Sequence, residues 1–65
     1  MTPTKKDFDM AIHLMGSDLL DLEAYIICCR VIIAHLRNGS ISEYVMSQFK
    51  FIERSYILQL SQLMN

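Results

Sequence analysis

The sequence is poor in the residues that stop helices or cross-link small folds. It contains one proline, two glycines and no tryptophan among 65 residues. Its two cysteines, Cys28 and Cys29, are neighbours. On a helix their side chains diverge by about 100°, so they cannot close an unstrained disulfide bond. The absence of a disulfide framework indicates a reducing compartment, and we expect a cytoplasmic protein whose thiols pack as small apolar groups.

An excess of charge of either sign is also absent. Six Lys and Arg residues stand against seven Asp and Glu residues, for a net charge of -1. Contacts to nucleic-acid phosphates need a basic patch or stripe, and none is present. We therefore expect no nucleic-acid partner.

No hydrophobic run of membrane length is free of charge. Residues 19–36 are long enough to span a bilayer, but they include Asp21, Glu23, Arg30 and His35. Each charged side chain near the centre of a bilayer costs about 2.5 to 3.5 kcal/mol on insertion scales. The segment is therefore interpreted as a buried helix of a soluble protein, without a membrane span.

The first two helices are predicted from their N-caps. Thr4 followed by Asp7 is typical of an N-cap with an acidic residue at the third helical position, and it predicts a short helix over about 5–15. Ser17, after a glycine break, is predicted to cap a second helix over about 18–37. Apolar residues recur at helical spacing in both segments.

A turn and a second cap predict the third helix. Asn38-Gly39 supplies the left-handed conformation that ends the second helix. Ser40 and Glu43 have the spacing of a capping box, which predicts a third helix over about 41–63. Asn-Gly is also typical of a β-hairpin turn, but the flanking segments show continuous i, i+3, i+4 stripes and no period of two.

The predicted fold is all-α. It is an antiparallel helical hairpin (about 18–37 and 41–63) preceded by a short N-terminal helix (about 5–15), in one domain over residues 1–65. A domain of this size buries only about 60% of the surface that its unfolded chain exposes. Without disulfides, it is expected to gain stability from a partner.

The second helix is apolar almost all the way round. One line at helical spacing is interpreted as the hairpin seam: Leu22, Ile26, Cys29, Ile33 and Leu36. A second line holds Leu20, Ala24, Ile27, Val31 and Ala34. A third holds Tyr25, Cys28 and Ile32. Helices that are apolar on every side are buried inside something larger.

The third helix repeats this pattern. Its predicted seam is Ile41, Val45, Phe49, Ile52, Tyr56, Leu60 and Leu63. A further apolar line, at intervals of seven, lies beside that seam: Tyr44, Phe51 and Leu58. A hairpin conceals one stripe per helix, so at least one stripe is left to bind a partner. The predicted partner-binding residues are Tyr25, Ile32, Tyr44, Phe51 and Leu58. Alternatively, Tyr44 and Phe51 pack beneath the first helix.

Residues for catalysis or metal binding are not arranged convincingly. No Ser, Cys or Lys has an evident base and orienting group beside it, so we expect no enzyme activity. Cys28, Cys29, His13 and His35 lack the paired, turn-derived spacing of structural zinc sites. The sequence therefore predicts no metal and no cofactor.

The span from Leu22 to Leu63 resembles a known family, the small E-type chaperones of type III secretion needle subunits (the YscE/PscE group). The features that carry the resemblance are Arg37-Asn38-Gly39 after the first hairpin helix, Glu43-Tyr44 early in the next, and an aliphatic C-terminal turn over residues 57–63. The apolar run Ile26 to Cys29 departs from the charged residues common there.

The resemblance implies a cytoplasmic co-chaperone. Such a protein binds a second, tetratricopeptide-like chaperone, and the pair keeps the needle subunit monomeric before export. By this resemblance Tyr44 is a candidate contact, and Phe51 and Leu58 share its stripe. Two alternatives from other classes remain: a homodimeric four-helix-bundle regulator or antirepressor, and an accessory subunit of an enzyme.

Overall fold

The computed structural model describes residues 1–64, and these form three α-helices without a strand. Helix α1 spans Lys5–Met15, α2 spans Leu22–Leu36 and α3 spans Glu43–Leu63. The predicted class, a short helix followed by a helical hairpin, is confirmed. The first helix packs against both helices of the hairpin, most extensively against α2.

Helix α1 begins as its sequence predicts. The Thr4 hydroxyl accepts a hydrogen bond from the Asp7 backbone N–H at 3.2 Å, and the Asp7 carboxylate accepts one from the Thr4 N–H at 2.9 Å. The two residues therefore form a complete capping box. Gly16 ends the helix as its C-cap.

Helix α2 begins later than predicted. Its N-cap is Asp21, whose carboxylate accepts a hydrogen bond from the Ala24 N–H at 2.8 Å. Ser17 instead accepts from the Leu19 N–H within the linker. Both residue types can cap a helix, so the local sequence offered two starts. The later start leaves the linker non-helical, and Leu20 packs from it onto the core.

The end of α2 is stopped by Asn38, as predicted. Asn38 has a φ of 51°, in the left-handed region where asparagine is tolerated. The Gly39 N–H then returns to the Ala34 carbonyl at 2.8 Å, which satisfies one of the last carbonyls of the helix. Gly39 itself has no positive φ, so the asparagine alone provides the left-handed residue.

Helix α3 also begins later than predicted. Ser42 is its N-cap and accepts a hydrogen bond from the Val45 N–H at 3.1 Å, so the predicted capping box of Ser40 and Glu43 is wrong. Ile41 stays outside the helix because it packs on the core and its N–H donates to the Met1 carbonyl at 2.7 Å.

The core lies where the three helices meet. Its buried members are Ala11, Leu14, Cys28, Val31, Met46 and Phe49. The predicted seam of α3 is confirmed as far as Tyr56, since its members are buried or packed against this cluster. Leu63, the last member of that seam, is exposed. Helix α3 has six more residues than α2, so its end extends about 9 Å further.

The predicted seam of α2 is wrong. The line from Leu22 to Leu36 faces outward, and the second predicted line, which includes Val31 and Ala34, faces the core. The inward residues include two alanines and a cysteine, and small side chains let α1 and α3 approach α2 closely on that side. Leu22, Ile26, Ile33 and Leu36 are left on the outside, whereas Ile27 and Ile32 pack against the core.

Polar contacts hold α1 and the segment before it on the hairpin. The Asp7 carboxylate accepts a hydrogen bond from Lys50 Nζ on α3 at 2.8 Å. The His35 ring on α2 lies 3.1 Å from the Pro3 carbonyl through Nδ1 and 4.9 Å from the Phe8 ring. The position of α1 is thus set by contacts with both other helices.

Candidate protein-binding surface

The stripe of Tyr44, Phe51 and Leu58, called the α3 stripe below, is exposed over its whole length. Between 58% and 71% of each residue's surface is accessible. Helix α1 packs against the other side of α3, where Met46 and Phe49 are buried. The alternative in which Tyr44 and Phe51 pack beneath α1 does not describe this structure.

Two shallow depressions lie at the junction of α2 and α3, one towards each end, and together they are called the α2–α3 groove below. At one end Phe51 lines it, together with Leu19 and Leu20 of the linker and Ala24 of α2. At the other end the lining residues are Arg30, Ile33, Ser40, Ile41, Ser42 and Val45. Grooves with apolar floors between two helices are suited to receive the apolar face of a third helix.

Tyr25 and Ile32 do not join the α3 stripe. Arg30 borders the α2–α3 groove, and successive helical residues turn by 100°, so both residues lie about 140–160° around α2 from it. Tyr25 is exposed, whereas Ile32 is half-buried and packs against the core. The five predicted binding residues therefore do not form one surface, since three lie on the α3 stripe, Tyr25 is exposed on α2 and Ile32 packs inward.

The line that sequence reasoning assigned to the seam forms a second exposed surface. It consists of Leu22, Ile26, Cys29, Ile33 and Leu36 and is called the α2 outer face below. Its four aliphatic residues keep between 49% and 73% of their surface accessible, and Cys29 is half-buried. Residue size is the signal that distinguishes the two lines. The line that faces the core contains both alanines of α2, and the exposed line contains none.

Charges border these apolar surfaces on one side. Glu23, Arg30 and Arg37 are exposed and follow one another at intervals of seven along the flank of α2 nearest the groove. On α3, Arg54 and Lys50 flank Phe51 on the side away from α2. Polar residues at the edge of an apolar centre are typical of protein-binding surfaces.

Cys28 is part of the core, and both histidines contact other segments of the chain. Burial, and to a smaller degree the neighbouring Cys29 thiol, raises the pKa of Cys28 to about 11, which keeps it protonated and unreactive near neutral pH. His13 lies 3.2 Å from the Tyr56 hydroxyl through Nε2. Within residues 1–64, no three His, Cys, Asp or Glu side chains come together in a way that could hold a metal ion.

None of the helices described over residues 1–64 combines the length and the hydropathy needed to cross a membrane. Comparisons of the chain with protein-family models, with curated proteins and with solved structures found no match. The function of the chain is therefore inferred from its exposed surfaces.

Proposed function

We propose that this chain is a non-catalytic binding module that holds an amphipathic helix of a protein partner against the α3 stripe and the α2–α3 groove. The observation that carries the proposal is the exposure of two aromatic rings, Tyr44 and Phe51, at the same face of α3. Exposed apolar patches of this kind mark interaction sites on soluble proteins.

The stripe is strong enough in principle to anchor a partner. Fully burying a large apolar side chain contributes about 1.5–3 kcal/mol, and Phe51 begins with two thirds of its surface accessible. Aromatic residues at the centre of an interface account for much of its binding energy. Phe51 lies between Tyr44 and Leu58 on the stripe and also lines the groove, so it is the expected central anchor.

The specific form of the proposal is a co-chaperone of a secretion system. It rests on the resemblance of residues 22–63 to the E-type needle chaperones, in which a tyrosine stands early in the second hairpin helix. Tyr44 matches that position and is among the most exposed aromatic residues of the chain. The partner is then a tetratricopeptide-like chaperone, and the shared client is a needle subunit whose polymerising helix must be covered in the cytoplasm.

The test is a binding measurement with matched variants. Phe51→Glu places a charge at the proposed anchor and is expected to weaken binding to a co-expressed tetratricopeptide-like chaperone at least about 30-fold, with helicity retained. Ile57→Glu is the control, because Ile57 is similarly exposed but lies about 120° around α3 from Phe51. We expect the control to bind like the wild type.

Two outcomes separate the general proposal from its specific form. If Phe51→Glu binds as tightly as wild type, the α3 stripe is not the binding surface. If the chain does not bind tetratricopeptide-like chaperones but binds another protein in a way that depends on Phe51, the proposal of a binding module is supported and the proposal of a secretion co-chaperone is refuted.

A further inference from the structure

We propose that the α2 outer face pairs with the same face of a second copy of this chain, the two α2 helices running antiparallel about a twofold axis. This inference concerns a different surface from the α3 stripe and does not depend on the proposed function. Four observations carry it: the spacing of the exposed residues, the accessible area, the arrangement of charges, and the direction in which the face points.

The spacing is that of a helix-pairing seam. The residues of this face, Leu22, Ile26, Cys29, Ile33 and Leu36, follow at intervals of four, three, four and three. This alternation keeps apolar side chains facing a neighbouring helix over four turns, as in coiled coils. Core residues of α2 occupy the opposite side, so the seam is not needed for packing within the chain.

The chain exposes more surface than is typical of a monomeric protein of its mass. The chain exposes 4747 Å², whereas a monomeric protein of 7.6 kDa exposes about 4,300 Å². Taking about 200 Å² for a fully exposed large apolar residue, the aliphatic residues of the α2 outer face together with Tyr25 offer roughly 560 Å² per chain. A twofold pair that covered all of it would bury about 1,100 Å² in total, close to the lower limit of about 1,200 Å² for standard protein interfaces.

The charges select the antiparallel arrangement. Glu23, Arg30 and Arg37 lie along one flank of the α2 outer face. In an antiparallel twofold pair this flank faces its own copy, so Glu23 of each chain lies near Arg37 of the other. Arg30 meets its copy near the axis, where both side chains reach solvent. A parallel pair would set the charged flank against the flank of Tyr25 and Ile32, with no opposite charge to meet.

The direction of the face leaves room for a second copy. Helices α1 and α3 both contact the inner side of α2, where Cys28, Val31 and Ala34 are buried. A mate on the outer side therefore meets mainly α2. Phe51 on α3 lies outside this contact, whereas Ile33 borders both the outer face and the groove. Ile26 is thus the better position for a test.

The test is the oligomeric state of the full chain by sedimentation equilibrium. We expect wild type to reach twice 7.6 kDa at micromolar concentration, and Ile26→Glu to weaken the dimer at least about 100-fold while keeping its helical circular dichroism. Ile12→Glu is the matched control, since Ile12 on α1 is 50% exposed and Ile26 is 49% exposed. Ile12→Glu and Phe51→Glu should both remain dimeric.

Three results would overturn this proposal: a wild-type monomer up to millimolar concentration, a dimer that survives Ile26→Glu, or a dimer lost in Phe51→Glu. The orientation has its own test. Glu23→Arg should weaken the dimer about tenfold, and adding Arg37→Glu should restore it, because the two surface charge pairs are exchanged rather than lost. An unrestored double variant excludes the antiparallel arrangement.

Discussion

The ion pair between Asp7 and Lys50 joins α1 to α3, and its removal gives the sharpest test of how α1 is held. Asp7 is buried, and its carboxylate accepts hydrogen bonds from Lys50 Nζ, the Thr4 N–H and the Thr4 hydroxyl at 2.8, 2.9 and 3.0 Å. Replacement by alanine removes all three contacts at once. The ammonium group of Lys50 can then turn to solvent, because that side chain is about half exposed.

The expected loss of stability follows from these contacts. A helix-capping residue contributes about 0.5–2 kcal/mol, and half of the capping box is kept in an Asp7→Ala variant. The ion pair contributes at most about 1 kcal/mol after solvent screening at Lys50. We therefore expect a loss of about 1.5 kcal/mol, which for a domain of this size lowers Tm by roughly 6–12 °C.

The pH dependence follows from the same geometry. Burial raises the pKa of Asp7, but the hydrogen bonds from Lys50 and Thr4 and the charge of Lys50 outweigh it and hold the pKa below its ordinary value. The folded protein then binds the Asp7 proton more weakly than the unfolded chain does. The stabilisation is complete above the unfolded pKa of about 3.9 and is lost as pH falls through the lower folded value.

The assay is urea unfolding followed by circular dichroism at pH 7 and pH 3, for Asp7→Ala, Lys50→Ala and the double variant. At pH 7 the cycle should give a coupling of about 0.5–1 kcal/mol. The variants lacking Asp7 should lose less stability than wild type on going to pH 3. Additive single effects at pH 7 would refute the claim that this pair joins α1 to α3.

The remaining predictions concern packing, thiols and the turn. Phe49→Ala should cost about 3–5 kcal/mol in urea unfolding because the ring is fully buried, whereas Phe51→Ala should cost under about 1 kcal/mol; equal losses would contradict the assigned faces. In the Ile26→Glu variant, whose α2 outer face has no mate, mass spectrometry after thiol alkylation at pH 8 should show that Cys29 reacts before Cys28, whose pKa is raised to about 11, and equal rates would contradict the burial of Cys28. Asn38→Ala should lower the stability by about 1–2 kcal/mol and Asn38→Gly should not, because φ is 51° there; similar Tm values would contradict the left-handed turn.

Helix ends were predicted correctly where only one residue in the segment could form the cap or the turn. Thr4 and Asp7 could cap only α1, and Asn38 could end only α2, and both predictions are confirmed. Helices α2 and α3 start four and two residues later than predicted, because in each linker a second residue able to cap a helix follows the predicted cap. Ser17 competed with Asp21, and Ser40 competed with Ser42. Cap chemistry alone does not rank such neighbours.

The exposed stripe of α3 was also readable from the sequence. Residues at intervals of seven lie on one face of any helix, as Tyr44, Phe51 and Leu58 do. The neighbouring line, from Ile41 to Leu63, has the alternating spacing of a helix-pairing seam, so it was assigned to the contact with α2. Their role in binding stays a prediction. The second helix was different, since three apolar lines surround it and periodicity does not say which one faces inward.

The amino-acid sequence by itself determined an all-helical chain with three helices, a turn at Asn38 and more apolar helix surface than a hairpin can cover. These properties follow from local hydrogen bonding and from residue period, which need no tertiary contact. Only the tertiary structure decided that α1 folds back onto both other helices and that Leu22 to Leu36 faces outward. The reason is that α2 must present its small residues to two neighbours at once, and that requirement exists only when all three helices are packed together.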